Sequence, residues 1–172
     1  MSEKIDTGSE QVGYFRLCAE GRAFASKLKK NPESENFGVV MEFYWLCVQL
    51  GLVAYSKDTS RPTPAGNDNE VYSSFAGETR KHQVLQRAFV MYGYLNGLGF
   101  ETFDERMSDP IEGAMDKFLQ LTGTHLTNRG LKEMDTFAQK GWDLIDRKGI
   151  NRVNTLSRFL TLYVDLLMEY SE

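Results

Sequence analysis

Residues 37–50 read FGVVMEFYWLCVQL, with one charged side chain, Glu42, and one amide, Gln49. A run that apolar must be hidden from water, yet it falls short of the roughly 20 residues that span a bilayer. It is therefore expected as the most buried element of a soluble domain. Val, Phe, Tyr and Trp favour strands by composition, but the run is long for a strand and has helix signals at both ends. Ser34 or Asn36 suits the start as a cap, and Gly51 suits a left-handed stop.

Outward from this core the chain changes character. Val53 to Arg80 holds two prolines, two glycines and no apolar run. It is expected as one long loop, about residues 53–79, with a short strand or hairpin around Val71 and Tyr72. Connections of that length are usually functional or disordered. On the N-terminal side, residues 1–9 read as a frayed end. From Glu10, apolar residues including Val12, Phe15 and Phe24 recur at helical steps up to Lys30, where Asn31-Pro32 stops the pattern.

Further helices are expected over Arg80–Leu98 and from Asp109-Pro110 through Thr122, the latter opened by an Asp cap and a first-turn proline. Thr127 or Asn128 caps the next, which carries Leu131, Met134, Phe137, Trp142 and Ile145 and closes near Lys148-Gly149. The last runs from about Asn151 to Tyr170 on Val153, Leu156, Phe159, Leu160, Tyr163, Leu166 and Leu167. The expected fold is all-α: one compact domain over residues 10–172, about six helices in an irregular or orthogonal bundle.

Composition bounds the function. A chain of 172 residues with 41% hydrophobic and 12% aromatic content builds a real core. Its net charge of −4 argues against a general nucleic-acid coat. Met1-Ser2-Glu3-Lys4 leads into polar sequence with no apolar signal region, and Cys18 and Cys47 read as buried free thiols, so a cytoplasmic location is expected.

The residues for catalysis or metal binding are sparse. His82, His125 and the two cysteines lack ligand spacing, and no phosphate loop, dinucleotide loop or nucleophile elbow is present. Acidic residues crowd Glu101–Asp116 without the order of a calcium loop. Glu42 reads as an exposed edge residue or the partner of an arginine such as Arg16 or Arg87. A carboxylate site built from distant positions, such as Glu42 with Glu70 or Glu78, would leave no local motif. The chain is read as a non-enzyme with no cofactor and no metal.

Binding features are richer. Tyr55, Lys57, Arg61, Tyr72, Phe75, Arg80, Lys81 and Arg87 interleave aromatic and basic side chains in and beside the long loop. They form the candidate partner-binding set, with the loop from Lys57 to Arg80 exposed and facing the partner. Arg147, Lys148, Arg152 and Arg158 gather at a helix junction, while Tyr163, Met168 and Tyr170 supply apolar anchors near the C-terminus. A protein partner or a homo-oligomer is favoured, with no membrane association. The alternative is a nucleic-acid-binding module using the basic and aromatic surface around residues 55–87.

Two stretches carry a family resemblance: MEFYWLCVQLGLVAYSKDTSRPTP (41–64) and LKEMDTFAQKGWDLI (131–145). Their apolar spacing resembles that of small α-helical accessory proteins from bacterial DNA-phosphorothioation (Dnd-type) defence islands. Where that family usually has an aromatic-alanine-glycine ending, this chain has Phe137-Ala138-Gln139-Lys140-Gly141. The resemblance implies a non-enzymatic subunit of a prokaryotic multi-protein, anti-phage system.

Overall fold

The computed structural model describes residues 15–30, 40–66, 70–71 and 127–171. In chain order these form strand β1 (Phe15–Arg16), helix α1 (Ala19–Lys29), helix α2 (Val40–Tyr55) and strand β2 (Glu70–Val71). Helix α3 (Asn128–Arg147), a 3₁₀ turn (Ile150–Arg152) and helix α4 (Leu156–Ser171) follow. Helix dominates the described residues, as the apolar spacing predicts. Four α-helices are described; those expected over 80–98 and 110–122 lie outside the described residues.

The first residues of the apolar run, 37–39, and the caps expected at Ser34 or Asn36 lie outside the described residues. From Val40 onward the run forms α2, which buries Phe43, Tyr44, Cys47, Val48, Leu50 and Leu52 among others. It does not stop at Gly51, as the sequence suggests, but continues to Tyr55. The reason lies in packing. A Cβ built on Gly51 would sit 2.0 Å from the Phe137 carbonyl oxygen, and one on Gly141 would sit 1.9 Å from the Cys47 carbonyl oxygen. Thus 51 meets 137 while 47 meets 141, so α2 and α3 run antiparallel with their backbones in contact at two points one helical turn apart. Each helix supplies a glycine where the other supplies main chain. Gly51 is there for close approach and not for a left-handed turn.

Around this pair each helix contributes one ring to an aromatic cluster. Phe24 of α1 lies 5.6 Å from Phe43 of α2, 6.1 Å from Trp142 of α3 and 5.6 Å from Phe159 of α4. Such tilted and edge-on geometries suit the ring quadrupoles. The Tyr163 hydroxyl then donates to the Leu46 carbonyl at 2.8 Å, fastening α4 to α2.

Two further expectations are corrected. Phe15 and Arg16 are extended, not helical: they pair antiparallel with β2, Phe15 opposite Val71 and Arg16 opposite Glu70. Phe15 packs on Tyr44 and Trp45, at 5.2 and 5.9 Å between ring centres. Its helical spacing from Phe24 arises because two differently shaped segments face one core. The last helix begins at Leu156 rather than near Asn151. Gly149, at φ 68°, opens the 3₁₀ turn, Val153 is extended, and the Thr155 hydroxyl accepts the Arg158 N–H at 3.4 Å. By contrast, the Thr127 cap is as expected, its side chain accepting the Gly130 N–H at 3.1 Å.

Candidate functional site

Two charged side chains are buried among the described residues, Asp135 and Lys140, both on α3. Burying a charge is costly unless it is paired and hydrogen-bonded, so their surroundings decide whether they are chemical or structural groups. Asp135 Oδ1 accepts the Arg16 main-chain N–H at 2.8 Å and the Tyr44 hydroxyl at 3.0 Å. Its Oδ2 lies 3.8 Å from the Arg16 guanidinium. Removal from water nevertheless outweighs these donors and raises its pKa to about 7. Asp135 thus clasps the N-terminal segment to α2 and α3.

Lys140 performs the matching task at the other end of α2. Its ammonium donates to the Asp58 carbonyl, to the Ser60 carbonyl at 2.9 Å and to the Ser60 hydroxyl at 3.0 Å. It pairs with the Asp58 carboxylate at 3.1 Å and stands 5.8 Å over the Tyr55 ring. Asp58 also accepts the Ser60 N–H and hydroxyl, and these bonds with the nearby ammonium hold its pKa down at about 2. Three donor sites of an ammonium are fully used by this arrangement. Lys140 is an anchor for the chain leaving α2.

Replacing Lys140 by Met keeps the aliphatic stem and removes the anchor. It is expected to cost about 2 kcal/mol, the scale of hydrogen bonds to a charged group. Trypsin cleavage after Lys57 should accelerate in step, and unchanged cleavage with unchanged stability would contradict the anchoring role.

Three members of the predicted partner-binding set are described. Tyr55 ends α2 buried, its ring 5.4 Å from Phe137, so it belongs to the core and not to the loop. Lys57 is exposed, and its ammonium donates to the Glu169 carbonyl at 3.0 Å. Arg61 is exposed and paired with Glu133. Tyr72, Phe75, Arg80, Lys81 and Arg87 lie outside the described residues. So do His82, His125 and the acidic run Glu101–Asp116. Glu42 is exposed.

The thiols are not activated. Burial raises the pKa of Cys18 and pushes that of Cys47 well above the ordinary range. Among the described residues no three His, Cys, Asp or Glu side chains come together as a metal site would require. Nor is any described helix long and apolar enough to cross a membrane.

The surface feature that stands out is the outer side of α4. Leu160, Val164 and Met168 follow at four-residue steps and are 38%, 50% and 57% exposed. Leu160, expected in the core, stands at its edge. Among them lie Ser157, Thr161 and Ser171, and no charge. The Thr161 hydroxyl donates back to the Ser157 carbonyl at 3.0 Å and the Ser171 hydroxyl to the Leu167 carbonyl at 2.8 Å. With those hydroxyls already occupied on the helix, covering this face would leave few polar groups unsatisfied.

Charges keep to a separate flank, with Arg158, Asp165 and Glu169 about a third of a turn from Val164. Glu169 is held there by Lys148, at 2.7 Å. Of the C-terminal anchors read from sequence, Met168 is exposed, Tyr170 half-buried and Tyr163 buried.

The signal for this face was present in the doubled apolar pairs Phe159-Leu160, Tyr163-Val164 and Leu167-Met168. Their arc is wider than one core contact uses. Comparison with protein-family models, with curated proteins and with solved structures finds no match.

Proposed function

We propose that this chain is a non-catalytic interaction subunit that meets a protein partner through the outer face of α4. The observation that carries this is the uncharged stripe Leu160–Val164–Met168. Single exposed aliphatics are ordinary, whereas an aligned, uncharged set in which two neighbouring hydroxyls, of Thr161 and Ser171, bond back to the helix is the pattern of a binding face. The buried charges support the same view, since Asp135 and Lys140 spend their hydrogen bonds on holding segments together. Lys57 and Arg61 are likewise engaged within the chain, which favours a protein over a nucleic-acid partner. The resemblance of residues 41–64 and 131–145 to Dnd-type accessory proteins supports a place in a prokaryotic multi-protein defence system.

The test is affinity capture from the native host with the wild-type chain and with Val164→Glu/Met168→Glu. Both positions are exposed, so the variant should melt within a few degrees of wild type. Proteins retained by the wild type, further copies of this chain included, should be lost from the variant. Equal retention by both would overturn the proposal.

A further inference from the structure

We infer that the occupant of the α4 face is a second copy of this chain, bound antiparallel about a two-fold axis at Val164. The inference rests on the binding role proposed for that face and adds the identity of the partner. It stands on the internal symmetry of the face. Leu160 and Met168 lie four residues either side of Val164, and Ser157 and Ser171 lie seven either side. In an isologous contact residue i meets j and j meets i. An axis at Val164 therefore sets Val164 on its own copy, Leu160 on the copy's Met168, and Ser157 on the copy's Ser171. At these positions like meets like, while Thr161, three residues before the axis, comes level with the copy's Leu167.

Charge on the flank agrees with this register. In an antiparallel pair the same flanks of the two helices adjoin. Arg158 lies six residues before the axis and Glu169 five after it, on one flank. Arg158 of each copy comes level with Glu169 of the other, which gives two complementary pairs. A parallel pairing would instead bring opposite flanks together and leave Arg158 and Glu169 without these partners. One contact opposes association: Asp165 follows the axis residue directly, so the two Asp165 carboxylates approach on that flank.

Size sets the strength. Sixteen residues make a helix about 24 Å long, and one such pair buries less than the ~800 Å² per partner of a standard stable complex. The dimer is accordingly weak, with Kd on the order of 10–100 μM.

Sedimentation velocity over about 5 μM to 500 μM should show a reversible shift from monomer to dimer. D165N should move that shift to lower concentration, and Val164→Glu/Met168→Glu should abolish it. Register is read by oxidation with diamide, which takes two electrons from a pair of thiols as it is reduced to the hydrazine. V164C, on the axis, should form a disulfide-linked dimer. S157C, which faces Ser171 of the copy, should not, and wild type controls for Cys18 and Cys47.

A chain that stays monomeric throughout overturns the inference, and so does S157C crosslinking as readily as V164C. Should it stay monomeric while Val164→Glu/Met168→Glu still loses a host protein in the capture experiment, the face serves a different protein. The self-pairing then falls and the binding role stands. Should the capture experiment also show no difference, both fall.

Discussion

Gly51→Ala and Gly141→Ala are each expected to lower the melting temperature by roughly 10 °C. A Cβ at either place would lie about 2 Å from a carbonyl oxygen of the opposing helix, at 2.0 Å for Gly51 and 1.9 Å for Gly141. The obstacle is backbone, so no side chain can rotate away, and α2 and α3 must separate by ~1 Å or more to accept the methyl group. Separation loosens the core at its centre, and a clash with main chain places the cost at about 4 kcal/mol, above the ~1–3 kcal/mol of ordinary overpacking. Alanine's better helix propensity returns only about 1 kcal/mol. For a chain of this size a net loss near 3 kcal/mol corresponds to that fall in melting temperature. Gly66→Ala is the control: nothing lies within 4 Å of its Cβ position, and it should be neutral. Calorimetry of the three variants checks the expectation, and a wild-type-like melt for Gly51→Ala would rule out the close helix contact.

Asp135→Ala is expected to cost about 3 kcal/mol, because it strands two donors, the Arg16 N–H and the buried Tyr44 hydroxyl. The same carboxyl gives stability a pH signature. Its folded pKa of about 7 exceeds the value near 3.9 of an unfolded aspartate. Between those values the folded state holds a proton that the unfolded state has released. Stability contributed by protonated Asp135 is therefore complete below about pH 4 and is lost as pH rises through 7, by on the order of 4 kcal/mol. Asp135→Asn keeps a side-chain oxygen for the two donors and removes the titration. Urea unfolding from pH 4.5 to 8 should show the downward slope in wild type and a flatter profile in Asp135→Asn. Identical slopes would show that Asp135 is not the titrating group.

Helical character and the identity of the core helix were legible because they depend on local periodicity and on an apolar run with no other way to escape water. Thr127 as a cap and Gly149 as a stop were legible for the same reason, each acting within one turn. What escaped depends on partners distant in sequence. Gly51 looks like a terminator until Phe137 is placed against it, and Phe15 looks helical until Asp135 and β2 hold its segment extended. Lys140 and Asp135 look like ordinary charges of an amphipathic helix. Their burial follows from segments about 80 and 120 residues away in the chain. With Gly51 as the helix end, Tyr55 falls in the loop; because α2 continues past Gly51, Tyr55 is a buried residue of the helix.

The face of α4 was half legible. Of the anchors Tyr163, Met168 and Tyr170 that the sequence offers, only Met168 is exposed, and helical spacing places Leu160 in the core because periodicity alone does not say how wide an arc a neighbouring helix will cover. The excess width, Leu160 to Met168, is the part left facing solvent.

The most direct measurement of the central claim is methyl NMR of Leu160, Val164 and Met168 as chain concentration is raised or a captured partner is added. Binding through the α4 face predicts that these three methyl resonances shift together, saturably, while those of buried Met134 and Ile145 stay in place. If association occurs and the Leu160, Val164 and Met168 methyls do not move, the binding face lies elsewhere and the account is wrong.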